Sequence, residues 1–169
     1  MKKYPHKKAF IFNVYLKDGS FRKCVDDPIP EVTRKIAILE TQTLYTFAKI
    51  IVKSFNFYFD HCFGFYSNLN SYHDSFDSYE LFVDIGEEGS NSNIKGVKKT
   101  KIRDVFYKYE KMLFLFDYGD GWRFIIEREK IEESSKDKKY PFVVDKKGTA
   151  PLQYPPLEEE QDFFQEEEQ

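Results

Sequence analysis

Met112-Leu113-Phe114-Leu115-Phe116-Asp117-Tyr118-Gly119-Asp120-Gly121-Trp122-Arg123-Phe124-Ile125-Ile126-Glu127 is the stretch that decides the fold. Its first five residues are all apolar, the mark of a short strand buried on both faces. Gly119-Asp120-Gly121 then turns the chain, with glycines free to take the positive φ angles that tight hairpin turns need. On the return, Trp122, Phe124 and Ile126 alternate with Arg123 and Glu127. That is the two-residue period of a strand with one covered face. The expectation is a β-hairpin. The Asp117 and Asp120 carboxylates accept hydrogen bonds from turn N–H groups, and Trp122 packs beneath them.

Working outward, 9–16 (AFIFNVYL) places Phe10, Phe12, Val14 and Leu16 on one face of a strand that ends in the turn Lys17-Asp18-Gly19-Ser20. Residues 21–25 pair back as a short strand before Pro28 and Pro30 break the chain. Val32, Arg34, Ile36 and Ile38 restart the two-residue period. Leu44, Phe47, Ala48, Ile51 and Phe55 share one helical face, so the main amphipathic helix covers about 43–55, capped by Thr41 or Thr43. The aromatic run 57–66 reads as strand, as does 79–85, where Tyr79, Leu81, Val83 and Ile85 alternate with Glu80, Phe82 and Asp84. A polar loop spans 86–96, and Thr100 caps a shorter helix at about 101–109. A charged linker fills 132–139, and 141–156 has no periodicity and lies along the surface. These elements specify an α+β fold, a mostly antiparallel twisted sheet with both helices on one face. One domain is expected over 1–156, followed by an acidic, disordered tail over 157–169.

Composition narrows the function classes. With 169 residues, 41% of them hydrophobic, the chain can bury a core, and the 18% aromatic share favours sheet. Seven of its 29 acidic residues lie in 157–169, leaving 22 against 26 basic ones, a body charge of about +4. Cys24 and Cys62 are the only cysteines and form no CxxC, so no disulfide framework is expected. The four lysines within 1–8 precede any apolar run, and no run is long enough to span a membrane. A cytoplasmic protein without membrane contact is the expectation.

The residues that could carry chemistry are few. Asp60 and His61, with Asp117, Asp120 and Trp122 on the hairpin, are the candidate binding set. A histidine in an aromatic stretch is most often a hydrogen-bonded core residue, but with two or three carboxylates it could hold a divalent cation or work as an acid or base. His73 and His6 have no spacing partner. Cys62, beside His61, falls on the opposite face if the segment is a strand. GxSxG, GxGxxG and P-loop motifs are absent. Lys95, Lys98, Lys99, Lys101 and Arg103, interleaved with Tyr107 and Tyr109, form the one basic stretch that could hold a single-stranded nucleic acid.

Two segments carry a family resemblance. Phe57-Tyr58-Phe59-Asp60-His61-Cys62-Phe63-Gly64-Phe65-Tyr66 follows an amphipathic helix, and Phe114 to Phe124 has the pattern aromatic–Asp–aromatic–Gly–Asp–x–Trp. Together they resemble the plasmid ORF-three-like proteins, a family also described as passengers of insertion elements. Tyr140-Pro141 and Gly148-Thr149-Ala150-Pro151 occupy the places of that family's Tyr-Pro and Gly-x-x-Pro elements. Many members continue with Cys-Pro-Pro-Glu-Asp, where this chain has Ala150-Pro151-Leu152-Gln153-Tyr154, so the thiol and both carboxylates are missing. The resemblance implies a compact α+β fold and brings no activity with it.

Three functions stay open. The first is a small binding or accessory protein, without catalysis or a cofactor, whose partner is a protein or small ligand met by Asp60, His61, Asp117, Asp120 and Trp122. The second is a nucleic-acid-associated accessory of mobile elements. The third is a metal-dependent hydrolase-like enzyme using Asp117, Asp120 and His61.

Overall fold

In the computed structural model, residues 7–87 and 93–156 are described. His6, part of the 86–96 loop and the acidic 157–169 segment lie outside the described residues. Seven strands form one sheet: β1 (Lys8–Asp18), β2 (Thr33–Leu39), β3 (Phe63–Tyr66), β4 (Ser78–Glu80), β5 (Lys111–Phe116), β6 (Trp122–Glu133) and β7 (Phe142–Lys147). Their order is β4-β3-β5-β6-β1-β2-β7, and every pairing is antiparallel. The hairpin is there: Phe116 pairs with Trp122, and residues 117–121 make the turn.

The helix-covered face follows from the alternation. Phe10, Phe12, Val14 and Leu16 on β1 point the same way as Ile36 and Ile38 on β2 and Trp122, Phe124 and Ile126 on β6. The helix α1 (Leu44–Ser54) lays Leu44, Phe47, Ala48, Ile51 and Val52 on that face, and α3 (Ile102–Phe106) adds Ile102, Val105 and Phe106. Phenylalanine rings dominate the contacts; Phe12, Phe47 and Phe106 meet within 4.6 to 5.9 Å of one another. Each such side chain taken from water contributes roughly 1.5–3 kcal/mol. β5 is buried on both faces as expected: Leu113 and Leu115 point away from α1 and pack with Tyr66 under Leu69, Tyr72 and Tyr118.

Several segments differ from their expected form. Residues 21–25 form no strand, because the Asp27 carboxylate accepts the Lys23 and Cys24 N–H groups and folds the chain into a local turn. Only 63–66 of the 57–66 run is strand. The expected strand over 79–85 stops at Glu80 and becomes a helical turn, α2 (Leu81–Asp84). Asp84 there accepts the Val97 N–H at 2.6 Å, and Val83 and Ile85 stay exposed. The second helix is shorter than 101–109 and starts at Lys101, whose N–H donates to Asp104. The Thr100 hydroxyl instead donates to the Gly96 carbonyl.

The charged linker begins later than expected, because β6 runs to Glu133 along β1. Within the aperiodic 141–156, β7 is an edge strand on β2. Both stretches are largely exposed, so the ladder holds them without any hydrophobic alternation.

Candidate functional site

The hairpin turn gains its shape from Asp117 as much as from glycine. Asp117 takes φ +59° and Gly121 φ +68°, while Gly119 keeps an ordinary negative φ. Aspartate tolerates the left-handed region better than most side chains because it bonds its own backbone neighbours. Asp117 Oδ1 accepts the N–H groups of Gly119 at 3.1 Å and Asp120 at 3.2 Å. Its own N–H donates to the Cys62 carbonyl at 2.9 Å, which brings the turn against residues 60–62.

Its other oxygen, Oδ2, stands 3.5 Å from His61 Nε2. On the far side of the ring, His61 Nδ1 lies 2.7 Å from Asp60 Oδ1. His61 thus sits between two carboxylates. It is also 41% exposed at its side chain, not buried in a core, because 57–62 is irregular and turns the imidazole outward. Asp120, exposed on the same turn, adds its negative field to the ring.

The C-terminal segment completes the corner. It is delivered there by Arg34, a buried side chain on β2. Arg34 Nε donates to the Ser54 carbonyl at 2.7 Å, and Nη1 to the Lys147 and Gly148 carbonyls, each at 3.1 Å. The guanidinium also lies 4.9 Å from the centre of the Phe55 ring. The chain then bends at Gly148, where φ is +78° and a Cβ would collide with the Glu31 carbonyl oxygen. Further on, the buried Gln153 accepts the Tyr58 N–H at 2.7 Å and turns its amide nitrogen toward the Tyr58 carbonyl and Asp60 Oδ1, both at 3.3 Å. The Tyr154 hydroxyl donates to Asp60 Oδ2 at 2.7 Å and stands 3.3 Å from His61 Nδ1.

These contacts set the electrostatics. The hydrogen bond to Asp60 raises the His61 pKa above its ordinary value against the opposing effect of burial, and the Asp117 charge adds to it. Burial works to raise the Asp60 pKa, but hydrogen bonds from Tyr154 and His61 outweigh it and hold the carboxyl below its usual range. Burial and the bond to Asp60 push the Tyr154 phenol up to about 12. The corner is therefore an imidazole whose protonated form is favoured, among three aspartates, with a neutral phenol beside it.

Of the residues singled out in the sequence, Asp60, His61 and Asp117 come together and Asp120 is near them. Trp122 does not join the exposed set: it is fully buried, its ring packed against Phe57 at 4.5 Å and Phe21 at 5.8 Å. Cys62 is half-buried and burial pushes its thiol up, which disfavours the thiolate a nucleophile needs. Among the described residues no three His, Cys, Asp or Glu side chains gather as metal ligands.

The basic stretch is also partly spent. Tyr109 is half-buried, with its hydroxyl donating to Asp77, and Tyr107 stacks edge-on to Phe10 with its hydroxyl on Glu40. Lys98 lies over the Tyr45 ring. Nor does the neighbouring start of α1 offer free donors to phosphate. The N–H groups of Leu44, Tyr45, Thr46 and Phe47 go to Thr100, Val97 and Thr43.

Gln153 and Tyr154 are the site residues that sequence reasoning missed. The signal available was positional: they occupy the places where the family resemblance implies Glu-Asp. The model of the family described as "Plasmid pRiA4b ORF-3-like protein" matches residues 22–153, a span holding Asp60, His61, Asp117 and Gln153 and ending one residue before Tyr154. A search of the curated proteins gives no match. Among solved structures, the crystal structure of a protein of unknown function, MM3350 from Methanosarcina mazei Go1, is similar with a TM-score of 0.64 and 19% identity. The likeness covers 83% of this chain and 70% of that one and speaks to the fold alone.

Proposed function

The chain belongs to the plasmid pRiA4b ORF-3-like protein family, and we propose that it is a non-catalytic binding protein whose contact surface is the corner of Asp60, His61, Asp117 and Asp120. The observation that carries this reading is the double engagement of His61, with one carboxylate at each ring nitrogen. A general base needs a free lone pair aimed at a substrate proton. Here each ring nitrogen faces a carboxylate, and the hydrogen bond to Asp60 favours the protonated ring. What the corner offers instead is surplus negative charge, three carboxylates around one imidazole, with Asp60 and Asp120 open to solvent and Asp117 buried. That chemistry suits a cationic or donor-rich group on a protein partner or small ligand.

A cytoplasmic setting belongs to the same reading and is supported by the two unpaired thiols, Cys24 and Cys62. An accessory role beside a mobile element rests on the family's plasmid name.

The test is a nuclear magnetic resonance titration with ethylguanidinium as the probe. Amide shifts are expected at 60–62 and 117–121, and the double variant Asp60→Asn, Asp117→Asn abolishes them. Shifts absent from both segments, or surviving in the double variant, overturn the reading.

A further inference from the structure

Asp60 already has a ligand from its own chain. The Tyr154 hydroxyl donates to Asp60 Oδ2 at 2.7 Å, on the edge where an incoming donor would bind, and shadows His61 Nδ1 at 3.3 Å. The segment bearing it is tied down unevenly. Before it, the Lys147 and Gly148 carbonyls are clamped by Arg34. In its middle, Gln153 is only 6% exposed and bonds both the N–H and the carbonyl of Tyr58. Tyr154, the next residue, is 48% exposed.

Among the described residues, no backbone–backbone hydrogen bond outside the strand ladders involves 149–155. Pro151, Pro155 and Pro156 carry no N–H to leave unpaired if the chain there shifts. The polar ties of this segment to 58–61 are made by side chains, a buried anchor followed by an exposed contact.

We infer that Tyr154 is a displaceable internal ligand of Asp60, a gate hinged on Gln153 that a guanidinium or ammonium group must move aside to reach the carboxylate. The inference rests on the binding reading above and adds competition to it. A phenol and a cation both present N–H or O–H donors to a carboxylate oxygen, but the cation also answers the corner's surplus negative charge. A positively charged group can therefore win a place that a neutral hydroxyl holds in its absence. Opening gives up the 3.3 Å contact of the Gln153 amide nitrogen with the Tyr154 hydroxyl but leaves both Gln153 bonds to Tyr58 in place, so the fold beneath stays closed while the gate moves.

Tyr154→Phe tests this, since it removes the donor while keeping the ring, at an exposed position where folding is not at stake. Ethylguanidinium is titrated into the full-length protein and the variant, with the Asp60 and His61 resonances as readout. The variant is expected to bind about three- to tenfold more tightly, the factor that one ordinary intramolecular hydrogen bond supplies. In the unliganded wild-type protein, a nuclear Overhauser contact between the Tyr154 and His61 rings is expected, and saturation with the probe removes it. Equal or weaker affinity in the variant overturns the gate and leaves the binding reading standing. Failure of both proteins to bind the probe overturns the binding reading and the gate with it.

Discussion

The C-terminal segment is fastened to the rest of the chain in two places, and the two fastenings are chemical opposites. At one, the Arg34 cation is 3% exposed and spends its protons on the backbone carbonyls of Thr33, Ser54, Lys147 and Gly148. At the other, Gln153 and Tyr154 meet residues 58–61, and the charged groups there are aspartates around an exposed histidine. A buried charge is tolerable only when its hydrogen-bonding capacity is met by groups that do not move, and the carbonyl at the end of a helix such as α1 also carries the dipole's partial negative charge. Surface carboxylates are under no such demand, since water can take the place of any partner. The difference separates a fastening from a site: Arg34 has nothing to exchange, whereas Asp60 does.

The largest expected effect tests the first half of that contrast. Arg34→Met keeps length and apolar stem but strands the Ser54, Lys147 and Gly148 carbonyls without their donor. The buried Ser54 acceptor left unpaired costs about 1–3 kcal/mol and the part-buried Lys147 and Gly148 carbonyls add less, so a loss of about 2–4 kcal/mol is expected from urea unfolding. A loss below about 1 kcal/mol would mean that the carbonyls find other partners and that the fastening is not structural. Gln153→Ala is expected to cost less, about 1–2 kcal/mol, because it strands one amide, that of Tyr58. The hydrogen exchange of that amide gives the sharper readout. It should accelerate in the variant while Phe114 in β5 keeps its protection, and equal acceleration of both would make Gln153 part of the global fold.

The same contrast explains what could be read in the sequence. Strands with one dry face and one wet face announce themselves by alternation, as β1, β2 and the start of β6 do. The end of β6 and most of β7 are exposed, although Ile131 reaches the core and Phe142 and Val143 are half-buried, so hydrogen-bonded ladder and loop look alike there. Arg34 lies in an otherwise apolar period, Val32, Ile36 and Ile38; the period gives the strand, but nothing local reveals that a cation on the inward face will meet carbonyls from 113 and 114 residues away. At the corner, Asp60, His61 and Asp117 stand in recognisable motifs. Gln153 and Tyr154 reach them across more than 90 residues from a stretch without periodicity. Trp122 lies in the hairpin motif yet belongs to the core, since a conspicuous residue in a motif can be there for packing. His61 misled in the other direction: Phe57 and Phe63 in the same run are buried, but the irregular 57–62 backbone releases the imidazole to solvent.

The smallest expected effect is a pH dependence that only the exposed region should show. Because Asp60, and then Asp117, raise the His61 pKa in the folded state, folding favours the protonated ring. The stability this supplies is complete below the unfolded-state value of about 6.5 and is lost as pH rises through the folded-state value. Asp60 behaves oppositely: its depressed pKa supplies stability above the unfolded-state value of about 3.9, which is lost as pH falls. The pair is therefore most stabilising between about pH 4 and 6.5. Solvent screening at a side chain 41% exposed keeps the effect small. In an NMR titration, the His61 ring proton should show a midpoint above 6.5, and Asp60→Asn should lower it. His61→Gln should lose stability relative to the wild-type protein at pH 5 and match it once the wild-type ring is neutral. Arg34→Met should lose the same amount at pH 5 and pH 8, since guanidinium does not titrate in that range. If Arg34→Met showed the pH dependence and His61→Gln did not, the distinction between fastening and site would be reversed.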